Sequence, residues 1–267
     1  MEKKKHKSLH IISIILFIGT VVMNYLSNFV IIFPNNQEQI SDKYHNLLAP
    51  AGFTFSIWGV IYIGVIITLI IPWLSKVSDE FKTFYYEEVV PSYILWIIFN
   101  IIWNVAWSYD YIIVALVAMV LYSLSLIRIV KIIDSRTDLA FQHPWLLLFP
   151  VGLHTGWVVF ATYTNVMTMF VKYGLDAYST LGVVLTIVLM VLAAASVLAL
   201  FKKYDNSFLT VPALWALFGI MMKHLPSSDF EHSNTAVMVS AIVIMILSLI
   251  VHFTILKKHR ETRVDVK

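Results

Sequence analysis

The side chains best suited to chemistry in this sequence lie on one face of an apolar stretch, residues 150–165. They follow one another at spacings of three or four residues: His154, Trp157, Ala161 and Asn165. This spacing places them on a narrow arc of a helix. Polar side chains at membrane depth cost free energy unless they find partners, so they normally face a bundle interior or a cavity. Aromatic rings stack on flat molecules and polar groups orient them, so the face is typical of a site for a flat, largely apolar ligand.

Two other apolar stretches carry stripes of the same kind. Phe55, Trp58 and Tyr62 share one helical face. Asn104 and Trp107 share another, one turn apart. Three such faces converging within a helix bundle predict one pocket with aromatic walls and a few orienting amides. The candidate ligand-binding residues are Phe55, Trp58, Tyr62, Asn104, Trp107, His154, Trp157, Ala161 and Asn165.

These residues also have purely structural interpretations. Asn104, like Asn100, can serve helix–helix hydrogen bonding alone. His154 can be a hydrogen-bonded packing residue, because no second ligand stands at metal-binding or haem-binding spacing from it. Tryptophan and tyrosine are also enriched at membrane interfaces as anchors. That anchoring role explains five other aromatic residues better than ligand contact does: Trp73, Trp96, Tyr109, Tyr111 and Trp145.

The residues that common catalytic sites require are missing from the sequence. The chain has no cysteine, so disulfides, thiolate nucleophiles and cysteine-based metal sites are excluded. It has no glycine-rich phosphate loop, no Gly-x-Ser-x-Gly and no His-Glu-x-x-His motif. We therefore expect no catalytic residue, no metal site and no enzymatic activity.

Composition indicates which elements position these faces. Of the 267 residues, 59% are hydrophobic and 13% are charged, whereas soluble domains average about 25% charged. The mean hydropathy is +0.80. Apolar stretches recur along the chain, each near the roughly 20 residues that cross a hydrocarbon core. The sequence therefore predicts an all-α, polytopic membrane helix bundle whose surroundings are the lipid bilayer.

Eight spans can be placed on the hydropathy pattern. The first follows a basic tail, and its apolar part is too long for a secretory signal, so we expect it to be retained. The third and fourth are joined by a very short turn, which predicts antiparallel neighbours. The predicted spans are residues 9–33, 53–75, 91–108, 111–130, 145–171, 179–201, 208–222 and 235–256.

The distribution of charge predicts the orientation of these spans. With eight spans both termini lie on one side, and every lysine and arginine except Lys43, Lys172 and Lys223 falls on that side. The positive-inside rule then places both termini in the cytoplasm. Because topology explains the basic residues, we expect no nucleic-acid partner. All 16 acidic residues lie in loops, tails or span ends, which argues against a pump driven by protons or sodium.

Three short motifs stand in order on the second, third and fifth spans. Their residues are Pro50, Trp58 and Tyr62; Asn104, Trp107 and Ser108; and Trp157, Phe160, Ala161, Tyr163 and Asn165. At these residues the chain resembles the tryptophan-rich sensory protein family (TspO/MBR), whose animal relatives are the translocator proteins or peripheral benzodiazepine receptors. Residues 204–220, together with the P-A-G-F-x-F-S-I-W-G form of the second span, resemble an extended, eight-span bacterial branch.

The resemblance implies a division of the chain and a class of ligand. Residues 1–172 would form a five-helix TspO-like core with a basic N-terminal tail, and residues 173–267 three additional transmembrane helices with a basic C-terminal tail. The ligand would be a small hydrophobic molecule, such as a porphyrin or haem-like compound, with no firmly bound cofactor. The matched pocket residues would be Trp58, Asn104, Trp107, Trp157, Ala161 and Asn165.

The resemblance also bears on location and assembly. It implies a multi-pass protein of the bacterial plasma membrane. Short members often form homodimers, whereas the three added spans would cover that face here, so a homodimer and a monomer both remain open.

Three functional hypotheses follow from the residues and the resemblance. The first is an integral membrane ligand-binding or sensory protein for a flat hydrophobic molecule such as a porphyrin. The alternative is a transporter or exporter of such a molecule, because eight spans supply enough helices for a pathway. A third is an enzyme that degrades a bound porphyrin with light or oxygen, which only the tryptophan content suggests.

Overall fold

The computed structural model describes residues 2–29, 33–228 and 230–265, and within these ranges the chain is helical with no strand. This confirms the all-α fold. In chain order the α-helices are α1 (Glu2–Phe29), α2 (Gln37–Lys43), α3 (Ile57–Ile70), α4 (Asp79–Phe84), α5 (Val90–Ser108), α6 (Ile112–Asp134), α7 (Thr137–Ala140), α8 (Leu148–Lys172), α9 (Thr180–Tyr204), α10 (Thr210–Lys223) and α11 (Thr235–Asp265).

Short turns extend several of these helices. Three are 3₁₀ turns: Gly52–Ser56 leads into α3, Ile71–Trp73 follows it, and Ser207–Leu209 leads into α10. A π-helical turn, Tyr85–Val89, joins α4 to α5. The third predicted span therefore begins inside a longer continuous helical segment, Asp79–Ser108.

Six segments of the described chain are long and apolar enough to cross a membrane, which confirms a multi-pass membrane protein. These segments are Ser8–Leu26, Gly52–Trp73, Asp79–Ser108, Ile112–Asp134, Thr180–Tyr204 and Thr235–Thr262. The other two predicted spans coincide with α8 and α10. Helix α8 has 25 residues but carries the polar stripe that lowers its hydropathy. Helix α10 has 14 residues, about 21 Å at 1.5 Å per residue.

Each of the eight predicted spans thus corresponds to a helix at the expected place. Residues 30–32, at the predicted end of the first span, and Lys267 of the basic tail lie outside the described residues. That α8 and α10 also cross the membrane stays a prediction.

The chain forms two compact units. Unit 1 comprises residues 1–44 and 62–151, and unit 2 comprises residues 45–61 and 152–267. The boundary predicted at residue 172 separates a five-helix family core from three added helices and is a different division from these units. That boundary stays a prediction.

Unit 1 is built around the α5–α6 pair, which pack along each other as the short connection predicted. Asp110 takes a left-handed conformation (φ 61°), which reverses the chain between them. The backbone N–H of Tyr111 donates to the Ala106 carbonyl and closes the turn. In the core, Trp96 stacks on Tyr122 with ring centroids 5.8 Å apart. Trp96, predicted as an interface anchor, is instead buried, with 2% of its surface exposed.

In unit 2, α9, α10 and α11 pack on one another. The segment that leads into α10 also lies close against α8. Two glycines of α8, Gly152 and Gly156, leave space for the segment that leads into α10. A Cβ on Gly152 would lie 2.8 Å from the Phe208 Cβ. One on Gly156 would collide with the carbonyl of Leu209. Small residues four apart let backbones approach in this way in membrane proteins.

We predict that Gly156→Ala destabilises the protein by about 1–3 kcal/mol, because the new methyl group would meet backbone rather than a movable side chain. Thermal unfolding of the purified protein measures the effect. Gly19→Ala is the matched control, since no atom lies within 4 Å of its added Cβ. The control should be neutral, or more stable by about 0.5–1 kcal/mol through helix propensity. Equal stability of the two variants would contradict the close packing at Gly156.

Candidate functional site

The predicted ligand-binding residues divide between the two units. Unit 1 contains Tyr62, Asn104 and Trp107. Unit 2 contains the rest, namely Phe55, Trp58, His154, Trp157, Ala161 and Asn165.

Four of the unit 2 residues meet and form what we call the aromatic cluster: Phe55, Trp58, His154 and Trp157. The rings of Phe55 and Trp157 are edge to face, with centroids 5.9 Å apart and planes at 88°. Trp58 is edge to face with Trp157 at 6.5 Å and with His154 at 6.0 Å. These separations fall within the range of favourable aromatic pairs, about 4.5–7 Å.

Two short helical elements build the aromatic cluster. The turn Gly52–Ser56 and the first residues of α3 place Phe55 and Trp58 three residues apart on one side. Helix α8 places His154 and Trp157 one turn apart on the other. Trp157 is 4% exposed and His154 3%, whereas Phe55 is 46% exposed. The cluster is therefore buried on its α8 side and open at Phe55.

The remaining two predicted residues lie further along α8. Asn165 is buried, and its Nδ2 donates to the Ala161 carbonyl of the preceding turn at 2.9 Å. Ala161 is half-buried. The described residues include no group of three or more histidine, cysteine, aspartate or glutamate side chains placed to hold a metal ion.

In unit 1 the predicted residues belong to a hydrogen-bond network centred on Gln37. The Gln37 side chain donates to Asn104 Oδ1 at 2.5 Å and to Asn24 Oδ1 at 3.4 Å. Asn24 in turn donates to the Tyr62 hydroxyl at 2.9 Å. The Trp107 indole N–H donates to the Gln37 carbonyl at 3.2 Å. The network therefore joins α1, α2, α3 and α5 within this unit.

Local sequence explains why Gln37 stands at this point. Asn36 caps α2 by accepting a hydrogen bond from the Gln39 backbone N–H, and the Gln39 side chain accepts one from the Asn36 N–H. This capping box starts α2 at Gln37. Gln37 and Asn24 were not among the residues predicted from the sequence. An asparagine within the first apolar span was the available signal, because such a residue requires a partner.

Both the nitrogen and the oxygen of the Asn104 side-chain amide form hydrogen bonds. Its Nδ2 donates to the Asn100 carbonyl at 3.1 Å, and its Oδ1 accepts from Gln37. This is the helix-bonding role that was one of its two interpretations. A contact between Asn104 and a ligand stays a prediction.

Comparison with protein families identifies the chain. The family described as TSPO-like protein matches residues 10–254. The chain belongs to this family. The matched range begins in α1 and ends in α11, so it includes the helices beyond residue 172 as well as the motif-bearing spans. Comparison with curated proteins and with solved structures found no match.

This TSPO-like protein also has a surface cleft. The cleft belongs to unit 1, has a volume of about 540 Å³ and is lined by residues 74–77 and 142–146. None of the predicted ligand-binding residues lines it. Trp145, at its edge, is 63% exposed, which suits the anchoring role predicted for it.

His224, just beyond α10, is a buried histidine that the sequence analysis did not single out. The backbone N–H of Asn234 donates to its Nδ1 at 3.2 Å, so Nδ1 carries no proton. Its Nε2–H therefore donates to the Leu47 carbonyl at 3.0 Å. Burial lowers the pKa of His224, the Leu47 bond opposes this shift, and the neighbouring Lys223 ammonium lowers the pKa further.

We predict that this histidine makes the stability of the protein depend on pH. In the unfolded chain its pKa is close to 6.5, whereas the folded value is lower. Between these values the folded state binds fewer protons, so the stabilisation is complete above pH 6.5 and is lost as the pH falls below it. Each pH unit by which folding lowers the pKa of His224 contributes about 1.4 kcal/mol to the free energy of unfolding above pH 6.5.

Thermal unfolding at about pH 7.5 and about pH 5 measures this loss. His224→Gln is the control, because its amide keeps a donor and an acceptor but does not titrate. The variant should lose less stability on acidification than the wild type. Equal losses would contradict the assignment to His224.

Proposed function

We propose that this TSPO-like protein is an integral membrane ligand-binding or sensory protein that binds a flat hydrophobic molecule, such as a porphyrin, at the aromatic cluster. The observation that carries the proposal is the meeting of Trp58 and Trp157, edge to face, beside an exposed Phe55. Four rings contributed by two separate elements make an aromatic surface that lipid alone does not require.

The geometry of the rings suits a flat ligand. Trp58 stands nearly perpendicular to Trp157, with an interplanar angle of 85°, so the two present differently oriented surfaces. A flat ligand can stack on one ring and meet the edge of the other, which are both favourable aromatic arrangements. The exposed Phe55 marks the side from which such a ligand would enter.

Sites for apolar ligands usually have a few orienting polar groups, and the predicted face of α8 offers two. His154 contacts Trp58 and is buried, and Asn165 lies about three turns beyond His154 along α8. We propose that these two groups orient polar substituents at the edge of the ligand. The ligand is held by contact and not as a resident cofactor.

We predict that Trp58→Ala and Trp157→Ala each weaken the binding of protoporphyrin IX about 10-fold, because each removes a ring from the aromatic cluster, equivalent to about 1.4 kcal/mol. The shift of the porphyrin absorbance band during titration measures the affinity without depending on tryptophan emission. Trp145→Ala is the matched control, because Trp145 is exposed and belongs to unit 1. Unchanged affinity in both cluster variants would sink the assignment of the site.

We also propose that the protein lies in the bacterial plasma membrane with both termini in the cytoplasm. Support comes from the charge distribution, since nearly all lysines and arginines fall on the side of the termini in an eight-span arrangement. On this proposal the long apolar helices lie within the lipid bilayer and contact its acyl chains.

Because the chain has no cysteine, a single introduced thiol reports the side on which it lies. We predict that Ser227→Cys is labelled by a membrane-impermeant maleimide on intact cells, whereas Glu261→Cys is labelled only after permeabilisation. Both positions are exposed. The reverse pattern would invert the orientation, and labelling of both on intact cells would contradict the eight-span arrangement.

A further inference from the structure

We infer that α10 positions the aromatic cluster: Trp215 and Lys223 hold residues 46–56, the segment that carries Phe55 to Trp157. The inference rests on the proposed function, because it concerns the same cluster. The inference gives a role to α10, one of the three added helices for which the sequence predicted no function.

The first half of this segment is a buried loop whose carbonyl groups receive donors from the end of α10. Lys223 Nζ donates to the carbonyls of Ala49 at 3.0 Å and Asn46 at 3.3 Å. His224 donates to the Leu47 carbonyl between them. Leu47 is fully buried and Asn46 is 2% exposed. Buried carbonyls outside a helix need such donors, so the end of α10 fixes the path of the loop.

The second half of the segment, the turn Gly52–Ser56, is held by Trp215. The indole N–H of Trp215 donates to the Thr54 carbonyl at 2.9 Å. Phe53 packs edge to face against Trp215 at 5.6 Å and against Phe218 at 6.0 Å. One hydrogen bond and two ring contacts therefore fix this turn against α10.

A glycine of α10 brings the two backbones together. The Ala51 N–H donates to the Gly219 carbonyl at 3.2 Å. A Cβ on Gly219 would lie 3.0 Å from the Pro50 Cβ and would collide with the Thr54 side chain. The absence of a side chain at Gly219 thus sets how closely the segment approaches α10.

The rotation of the turn decides where Phe55 points. A 3₁₀ turn has about three residues per revolution, so residues two apart face directions about 120° apart. Phe53 faces α10, and Phe55 faces Trp157. Contacts that fix Phe53 and Thr54 on α10 therefore also fix the direction of Phe55.

The chain that leads into α10 also contacts the other wall of the cluster. Leu209 and Pro212 fit against Gly156, the residue before Trp157. Phe208 fits against Gly152, two residues before His154. One continuous element, residues 206–224, therefore contacts both walls and sets the distance between them. A site held in its binding geometry before the ligand arrives loses less conformational freedom on binding.

The test uses variants that remove one donor and keep the packing. Lys223→Met keeps the aliphatic stem and removes the ammonium, and Trp215→Phe keeps an aromatic ring and removes the indole N–H. Each should raise the Kd for protoporphyrin IX about 5-fold to 10-fold through loss of preorganisation. Lys223→Arg, which retains donors and charge, should restore an affinity close to that of the wild type. Trp145→Phe is the control for a tryptophan outside this contact.

A second measurement reads the position of the segment without any ligand. Thr54 is buried in the segment and the chain has no cysteine, so Thr54→Cys provides a single reporter thiol that is protected while the segment is held. Its rate of labelling by a maleimide in detergent should rise about 10-fold when Lys223→Met or Trp215→Phe is added, because the released segment opens more often. The rate should not change when Trp145→Phe is added.

The two measurements separate this inference from the proposed function. If the wild-type protein binds no protoporphyrin IX, the proposed function fails, and the labelling rate alone decides whether α10 holds the segment. An unchanged labelling rate in both variants overturns the inference. A faster rate with unchanged affinity also overturns it, since α10 would then hold the segment without positioning the site. If Lys223→Met fails to fold, the Kd and the labelling rate of Trp215→Phe are compared with those of the wild type and Lys223→Arg.

Discussion

Buried polar groups must find hydrogen-bond partners within the chain, and in this protein that requirement is met by contacts between residues far apart in sequence. The loop of residues 46–51 is buried without forming a helix, so its carbonyl groups depend on donors from Lys223 and His224. In unit 1 the amides of Asn24 and Asn104 lie within helices, and both receive hydrogen bonds from Gln37. In unit 1 the short helix α2 supplies the partners, and in unit 2 the end of α10 supplies them.

Helix α8 shows how the same constraint shapes the candidate site. Its polar and small residues lower its hydropathy, and several of them contact the rest of unit 2. Gly152 and Gly156 admit the chain leading into α10, whereas His154 and Trp157 take part in the aromatic cluster. Close backbone approach and an aromatic wall thus occur on neighbouring parts of one helix. Residues of the candidate site and residues of close packing thus alternate along α8.

Much of the aromatic cluster could be predicted from spacing, because rings three or four residues apart share a helical face whatever surrounds the helix. Phe55 with Trp58, and His154 with Trp157, were paired in this way, and the structure brings the two pairs together. The partners of polar groups could not be predicted in the same way. Gln37 is the first residue of a short helix, and Lys223 is the last residue of α10, where a lysine is expected to be solvated. Nothing in their local sequence indicates which distant carbonyl or amide they meet.

The sequence by itself determined the fold class, the positions of the helices at the eight predicted spans, the antiparallel α5–α6 pair and the faces on which aromatic and amide side chains lie. These features depend on hydropathy, helical period and connection length, which are local properties of the chain. The tertiary structure alone decided that the predicted residues divide between two units, that Gln37 bonds to Asn24 and Asn104, and that α10 contacts the segment carrying Phe55. Those outcomes depend on which donors reach which acceptors after the helices have packed, and that is a property of the folded chain as a whole.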